Sequence, residues 1–220
     1  MISLTPAEEN YLKAIYHLSE GGKKSVSTND ISHEMKTKPA SVSDMLRKLA
    51  NKQVIDYRKY YGLQITDEGK KIALQIIRKH RIWEVFLVDK LKFSWDEVHE
   101  VAEELEHIKS PLLMQRLDEF LGHPKFDPHG DPIPDEFGDL KSRPRLPLNE
   151  LELHDAGQIV AVRDSSAAFL RYLDKVGAYI GARIKVVDKI DFDGSVEILV
   201  DNKKNLFMSR EVAENILILQ

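Results

Sequence analysis

The apolar residues of this chain change their repeat once, and that change constrains the fold more than any other feature. Up to Gly122 they recur at helical spacing, interrupted by one short β-rich stretch. After Pro147 they fall into short runs of strand character, Gln158–Arg163, Arg183–Val187 and Val196–Val200, with one short helix from Ala168 to Lys175 closed by Gly177. The stretch between, His123 to Pro147, is rich in Pro, Gly and Asp and reads as an ordered loop passing into a linker. The expectation is a mainly α chain with a small β part, the β part a small barrel.

Helix boundaries are written locally. Thr5-Pro6 is an N-cap followed by proline, opening a helix to about Ser19, and Gly21-Gly22 ends it. Ser27 or Thr28 caps a second, short helix through Met35. Pro39 opens a third, with Val42, Met45, Leu46 and Leu49 at helical spacing to near Asn51-Lys52. Val54–Thr66 alternates partly, is rich in β-formers and has Gly62 near its turn, so it predicts a hairpin. Two helices with a tight connection followed by a basic hairpin make a winged helix-turn-helix. A long helix follows from Asp67 to about Leu91, then one opened by Ser94 and Glu97 and running through Ile108, then one from Ser110-Pro111 to Gly122.

Charge supports a nucleic-acid role for the N-terminal part. The first 80 residues hold 14 of the 32 Lys+Arg and 9 of the 36 Asp+Glu, a net of +5, and the remainder carries −9. A recognition helix needs small donors near its N-terminus and basic residues a turn later. Thr37, Lys38, Ser41 and Ser43 fill the first place, Arg47 and Lys48 the second, and Arg58 and Lys59 lie on the wing. The expected partner is double-stranded DNA.

The chain has no cysteine, which excludes disulfides, thiolate metal sites and cysteine nucleophiles. Any metal must use nitrogen and oxygen donors. His99, Glu103, Glu106 and His107 lie at spacings that keep them on one stripe of a single predicted helix, and His80 and Glu84 share a face of the preceding one. Such imidazoles and carboxylates suit Mn(II), Fe(II) or Zn(II). His17, His33, His123, His129 and His154 read as polar or structural residues. A metalloprotease would need His-Glu-x-x-His, but Glu103 stands where the second histidine belongs, and there is no Gly-rich phosphate loop or Gly-x-Ser-x-Gly elbow. The chain is therefore not expected to be an enzyme. A winged-helix regulator with a non-metal effector, and a metal-dependent hydrolase, are the alternatives left open. No apolar run approaches the roughly 18 residues of a membrane span, and the N-terminus shows no basic-then-apolar targeting pattern. A cytoplasmic location is expected, with no membrane partner and no small-molecule substrate.

These residues resemble the diphtheria toxin repressor family, which includes manganese transport regulators, over nearly the whole chain. The likeness is carried by Leu4-Thr5-Pro6-Ala7-Glu8-Glu9-Asn10-Tyr11-Leu12, Ser41-Val42-Ser43, Gly62-Leu63-Gln64-Ile65-Thr66-Asp67-Glu68-Gly69, Arg78-Lys79-His80-Arg81, Glu106-His107 and Gly130-Asp131-Pro132-Ile133-Pro134. The resemblance implies a homodimeric metal-dependent repressor of metal-homeostasis genes. It implies a winged helix-turn-helix at 1–70, a helical dimerisation and metal domain at 71–140, a linker at 141–150 and an SH3-like, FeoA-type β-barrel at 151–220. His80, Glu84 and His99 match an ancillary metal site, with Asp164 completing it. Asn10, Glu103, Glu106 and His107 match a primary site. Glu103 occupies a position that is cysteine in iron-responsive members and glutamate in manganese-responsive ones, so Mn(II) is favoured, with Fe(II) possible and Zn(II) a non-native occupant. Asn10 stands where the family offers Asp or Met, and Lys13 where short manganese regulators carry a ligand Glu, so their closely spaced two-metal arrangement is not carried over.

Overall fold

The structure, a computed structural model, describes residues 2–58, 62–140 and 144–220. It divides into two compact units: Met1–Trp83 with Glu103–Arg116 and Pro134–Leu140, and Glu84–Ala102 with Leu117–Ile133 and Lys141–Gln220. No helix among the described residues is long and apolar enough to cross a membrane.

In the first unit, α1 (Pro6–Leu18), α2 (Thr28–Glu34) and α3 (Pro39–Asn51) precede a hairpin of β1 (Ile55–Arg58) and β2 (Gly62–Ile65). The helix starts follow the local signals. Thr5 and Glu8 form a reciprocal capping box on α1, Ser27 and Asp30 repeat it on α2, and Pro39 sits in the first turn of α3. Leu12 and Ile15 of α1, Ile31 of α2 and Val42, Leu46 and Leu49 of α3 share one core with Val54, Ile55 and Leu63 of the hairpin region. The hairpin is in register from Ile55 opposite Ile65 to Arg58 opposite Gly62. Val26 and Leu63 exchange two backbone hydrogen bonds, which tie the segment before α2 to β2. These elements form the expected winged helix-turn-helix.

The helices α4 (Asp67–Asp89), α5 (Val98–Leu105) and α6 (Pro111–Phe120) follow. The helix expected to run from Ser94 through Ile108 is shorter. It stops at Leu105, and Glu106 and His107 lie in the turn after it, closed by the Ile108 N–H donating to the Leu105 carbonyl at 3.1 Å. The four candidate ligands of that region are therefore not one helical stripe. The reason is tertiary: Glu106 and His107 bond to side chains of α1 and α4, as described below, and those bonds outweigh the helical preference of the acidic run.

The second unit holds a six-stranded antiparallel sheet in the order β3-β8-β4-β5-β6-β7, made from β3 (Leu146–Pro147), β4 (Ala156–Val162), β5 (Arg183–Lys189), β6 (Val196–Val200), β7 (Lys204–Met208) and β8 (Ile216–Leu219). Two helices accompany it, α7 (Ala167–Val176) and α8 (Arg210–Asn215). Ser166 caps α7, and Gly177 closes it in the left-handed conformation at φ 83°. Leu170 and Leu173 of α7 pack with Ile159, Ile184, Val186, Ile198 and Ile216 from the strands. The sequence reading had not singled out β7, α8 or β8. Within the stretch 141–150, expected as a linker, Leu146–Pro147 pairs with β8 and Leu148 is fully buried.

The part of the Pro- and Gly-rich loop around His129 and Gly130 is held against β4. The Val162 N–H donates to the His129 carbonyl at 3.2 Å. Gly130 has φ 86°, and a Cβ on it would lie 1.8 Å from the Val160 carbonyl oxygen. Both the backbone conformation and the contact demand glycine. The substitution Gly130→Ala should destabilise this unit by roughly 2 kcal/mol or more, since overpacking and left-handed strain add, read as a lower thermal midpoint.

Candidate metal centre and nucleic-acid interface

Glu106 is the most deeply placed candidate ligand. Its side chain has no exposed surface. Both of its oxygens accept from the Lys13 ammonium at 2.8 Å, and Oε2 also accepts from His80 Nδ1 at 2.6 Å. Burial by itself would push the Glu106 carboxyl up. The His80 hydrogen bond and the Lys13 charge more than offset it, and the group is held below the usual carboxylate range. Glu103, half-exposed, stands 3.4 Å from the same ammonium.

His107 is oriented from α1. Its Nδ1 lies 2.6 Å from Glu9 Oε2, and because an ionised carboxylate only accepts, Nδ1 carries the proton. That leaves Nε2 with its lone pair, 3.9 Å from Glu106 Oε1. A buried carboxylate on one ring nitrogen, with the other nitrogen facing an acidic group, is the arrangement that orients metal-binding histidines. Glu9 was missed by the sequence reading, although its place one residue before Asn10 is a usable signal. Asn10 Oδ1 is buried and has no hydrogen-bond partner among the described residues. An orphaned hard oxygen fits a cation ligand. Lys79 is near as well: burial lowers its pKa, while the charges of Glu9 and Glu106 act the other way.

His80 and Glu84 are buried one turn apart on α4, as the spacing predicts. His80 Nδ1 is the ring nitrogen that meets Glu106. In the second unit Glu84 is 2% exposed, and its Oε1 lies 3.4 Å from His99 Nδ1. Two further residues stand beside it. Ligand atoms of Glu84, Asp127 and His129, all buried, lie within 4.8 Å of one another. Asp127 Oδ1 accepts from the backbone N–H groups of His129 and Asp131, both at 2.9 Å, and so shapes the loop. His129, read from sequence as structural, donates from Nε2 to the Trp95 carbonyl at 2.8 Å and has Nδ1 3.7 Å from Glu84. Burial pushes its pKa down, but Glu84, the Trp95 carbonyl and Asp127 outweigh this, and it is raised to about 9. Asp164 is not among the donors grouped around Glu84 in the described residues, and its Oδ1 accepts from the Ser166 N–H at 2.8 Å, just before α7.

In the winged helix, Val42, Leu46 and Leu49 face the core, and Lys38, Ser41, Arg47 and Lys48 are exposed on the other side of α3. Lys38 is the N-cap residue, and Ser43 is partly turned inward, its Oγ donating to the Pro39 carbonyl at 3.0 Å. Thr37, half-buried, lines an open hollow with Ser32, His33, Lys36, Lys38 and Ser41. Arg47 is engaged by Asp44 at 2.7 Å, an exposed pair of the kind worth little in water. Arg58 is exposed at the end of β1, and Lys59 lies outside the described residues.

Comparison with known proteins agrees with this division. Residues 3–63 match the model of the iron dependent repressor N-terminal DNA binding domain, residues 66–135 that of the iron dependent repressor metal binding and dimerisation domain, and residues 146–219 the FeoA domain. The iron-dependent repressor IdeR of Mycobacterium tuberculosis is 31% identical over 134 residues, which is 61% of this chain and 58% of that protein. The IdeR of Mycobacterium leprae is 28% identical over 226 residues, covering 97% of this chain and 96% of that protein. A solved manganese-dependent transcriptional repressor in complex with manganese superposes with a TM-score of 0.88 at 32% identity, covering 97% of this chain and 99% of that one.

The raised His129 pKa sets a pH dependence. Its folded value of about 9 lies above its ordinary 6.5, so the stabilisation is fully present below pH 6.5 and is lost as pH rises through 9. In chelator-treated protein this amounts to on the order of 3 kcal/mol. Thermal midpoints measured from pH 6 to 9.5 should fall across that window, and His129→Gln should flatten the fall.

Proposed function

The chain belongs to the iron-dependent repressor family, and we propose that it represses transcription by binding duplex operator DNA as a metal-activated homodimer. The family consists of metal-dependent transcriptional repressors, not enzymes. One observation carries the proposal: the candidate ligands after α5 are bonded to α1, the helix whose other face packs in the core with the recognition helix. His107 bonds to Glu9 and Glu106 to Lys13, while Leu12 and Ile15 of the same helix share a core with Val42 and Leu46 of α3. A displacement of α1 therefore carries α3 with it.

Asn10, Glu103, Glu106 and His107 would hold one divalent cation, and His80, Glu84 and His99 a second. Asp164 would complete the second through the oxygen that does not accept from the Ser166 N–H. When bound, such a cation supplies two positive charges and fixed bond directions that hold donors from different elements together. The residues do the rest. Glu9 fixes the tautomer and plane of His107, and His80 holds Glu106 ionised. Lys38, Ser41 and Thr37 stand where base edges are read, with Arg47, Lys48 and Arg58 placed for phosphates. A chain with no thiolate and with Glu103 in the ligand set favours Mn(II), admits Fe(II), and takes Zn(II) as a non-native occupant. Exposed Leu112, Leu113 and Phe120 on α6, within the stretch matching the dimerisation model, support a homodimer. Metal-homeostasis genes are the proposed targets and the cytoplasm the proposed location.

Because coupling is reciprocal, metal should raise DNA affinity by the same factor that DNA raises metal affinity, on the order of 5- to 150-fold. The double variant Glu103→Ala/His107→Ala should abolish the metal-stimulated part in gel-shift titrations with Mn(II), Fe(II) and Zn(II), and an unchanged metal response would overturn the proposal. Glu9→Gln should weaken metal binding by roughly 10- to 100-fold, the usual effect of losing a carboxylate that orients a ligand histidine, as read by direct metal titration. Lys48→Ala should weaken binding to all sequences alike and lower the slope of log affinity against log salt by about 0.9 per lost phosphate contact.

A further inference from the structure

We propose that Lys13 is a built-in competitor for the metal site, a tethered cation that must give up Glu106 before a divalent ion can take it. This rests on the reading that Glu103, Glu106 and His107 form a metal site. The Lys13 ammonium lies 2.8 Å from both oxygens of Glu106 and 3.4 Å from Glu103. With His80 on Oε2, Glu106 already has three of its roughly four lone-pair directions filled. A cation and the ammonium cannot both hold these oxygens at bonding distance, and like charges so close together repel.

The position of Lys13 makes the competition direct. It follows Asn10 by three residues on α1, so the two side chains share one face of the helix. The ammonium is thus tethered to the same helix face that carries the orphaned Asn10 oxygen, and it is bonded to the carboxylates. Lys13 is 14% exposed, so its flexible four-carbon stem has a way out to solvent, which a fully enclosed side chain would lack. In its bonded position it joins His80 in offsetting the burial of a carboxylate with no exposed surface. The same contact raises the metal concentration at which the site fills. Lys13 thus sets the threshold of the switch without being a ligand.

The test is calorimetric titration of the full-length, chelator-treated protein with Mn(II), in a His99→Ala background that removes the other proposed site. Lys13→Met, and Lys13→Gln, which keeps a donor for Glu106 without the charge, should bind Mn(II) about tenfold more tightly than the background, the usual size of coupling within one ion-pair network. Lys13→Arg should stay close to the background. Without metal, the Met variant should melt at a lower temperature, and its midpoint should rise further on adding Mn(II). A merely structural lysine would lower stability without tightening metal binding. If the Met and Gln variants bind equally or more weakly while His107→Ala abolishes binding, the competitor role is wrong and the site stands. If His107→Ala binds as well as the background, the site reading fails and Lys13 falls with it.

Discussion

A carboxylate with no exposed surface is the constraint around which the ligand-bearing part of the first unit is arranged. Ionised Glu106 loses its hydration on folding, a penalty of several kcal/mol that only close, well-aligned partners offset. Lys13 from α1 and His80 from α4 are those partners. The requirement fixes several things together. It brings α1 and α4 to one point, and it turns the chain out of helix after Leu105 so that Glu106 can point inward. It also leaves His107 next in line to meet Glu9. Removing either partner of Glu106 would leave a buried charge short of compensation, so the three residues act as one unit.

The second unit solves the same problem with different residues. Glu84 is nearly as inaccessible, and there one facing group is the His129 imidazole, itself held by the Trp95 carbonyl. The loop that supplies His129 is shaped by the Asp127 carboxylate and by a glycine pressed against β4. In each unit a side chain of the protein's own stands where a carboxylate would otherwise be unbalanced. At Glu106, whose carboxyl is held below the usual range, the proposed metal chemistry then becomes an exchange of one cation for another. That differs from the filling of a neutral pocket, which would first require the loss of a proton. The exchange makes affinity depend on the resident cation as well as on the ligands.

The reading head is built more simply. Its core is aliphatic, its helix starts are capped by their own neighbouring residues, and its basic side chains project from the face of α3 opposite Val42, Leu46 and Leu49. Lys52 adds a tie by donating to buried Glu8, whose carboxyl is held below its usual range despite its burial.

What the residues alone determined was whatever depends on neighbours close in the chain. Thr5, Ser27 and Pro39 start their helices through bonds and dihedrals spanning three or four residues, Gly177 ends α7, and the apolar spacing separates the helical part from the sheet. The pairing of His80 with Glu84 was legible for the same reason, since one helical turn fixes it. Tertiary structure decided the rest. The exit of Glu106 and His107 from α5, the service of Glu9 and Lys13 as their partners, and the approach of Asp127 and His129 to Glu84 all join residues far apart in the chain. So does the pairing of β8 between β3 and β4. The side-chain contacts are set by where buried charge can find an opposite charge, and the strand pairing by where a backbone edge and an apolar face can be covered, conditions that exist only once the elements are packed. No local pattern encodes it.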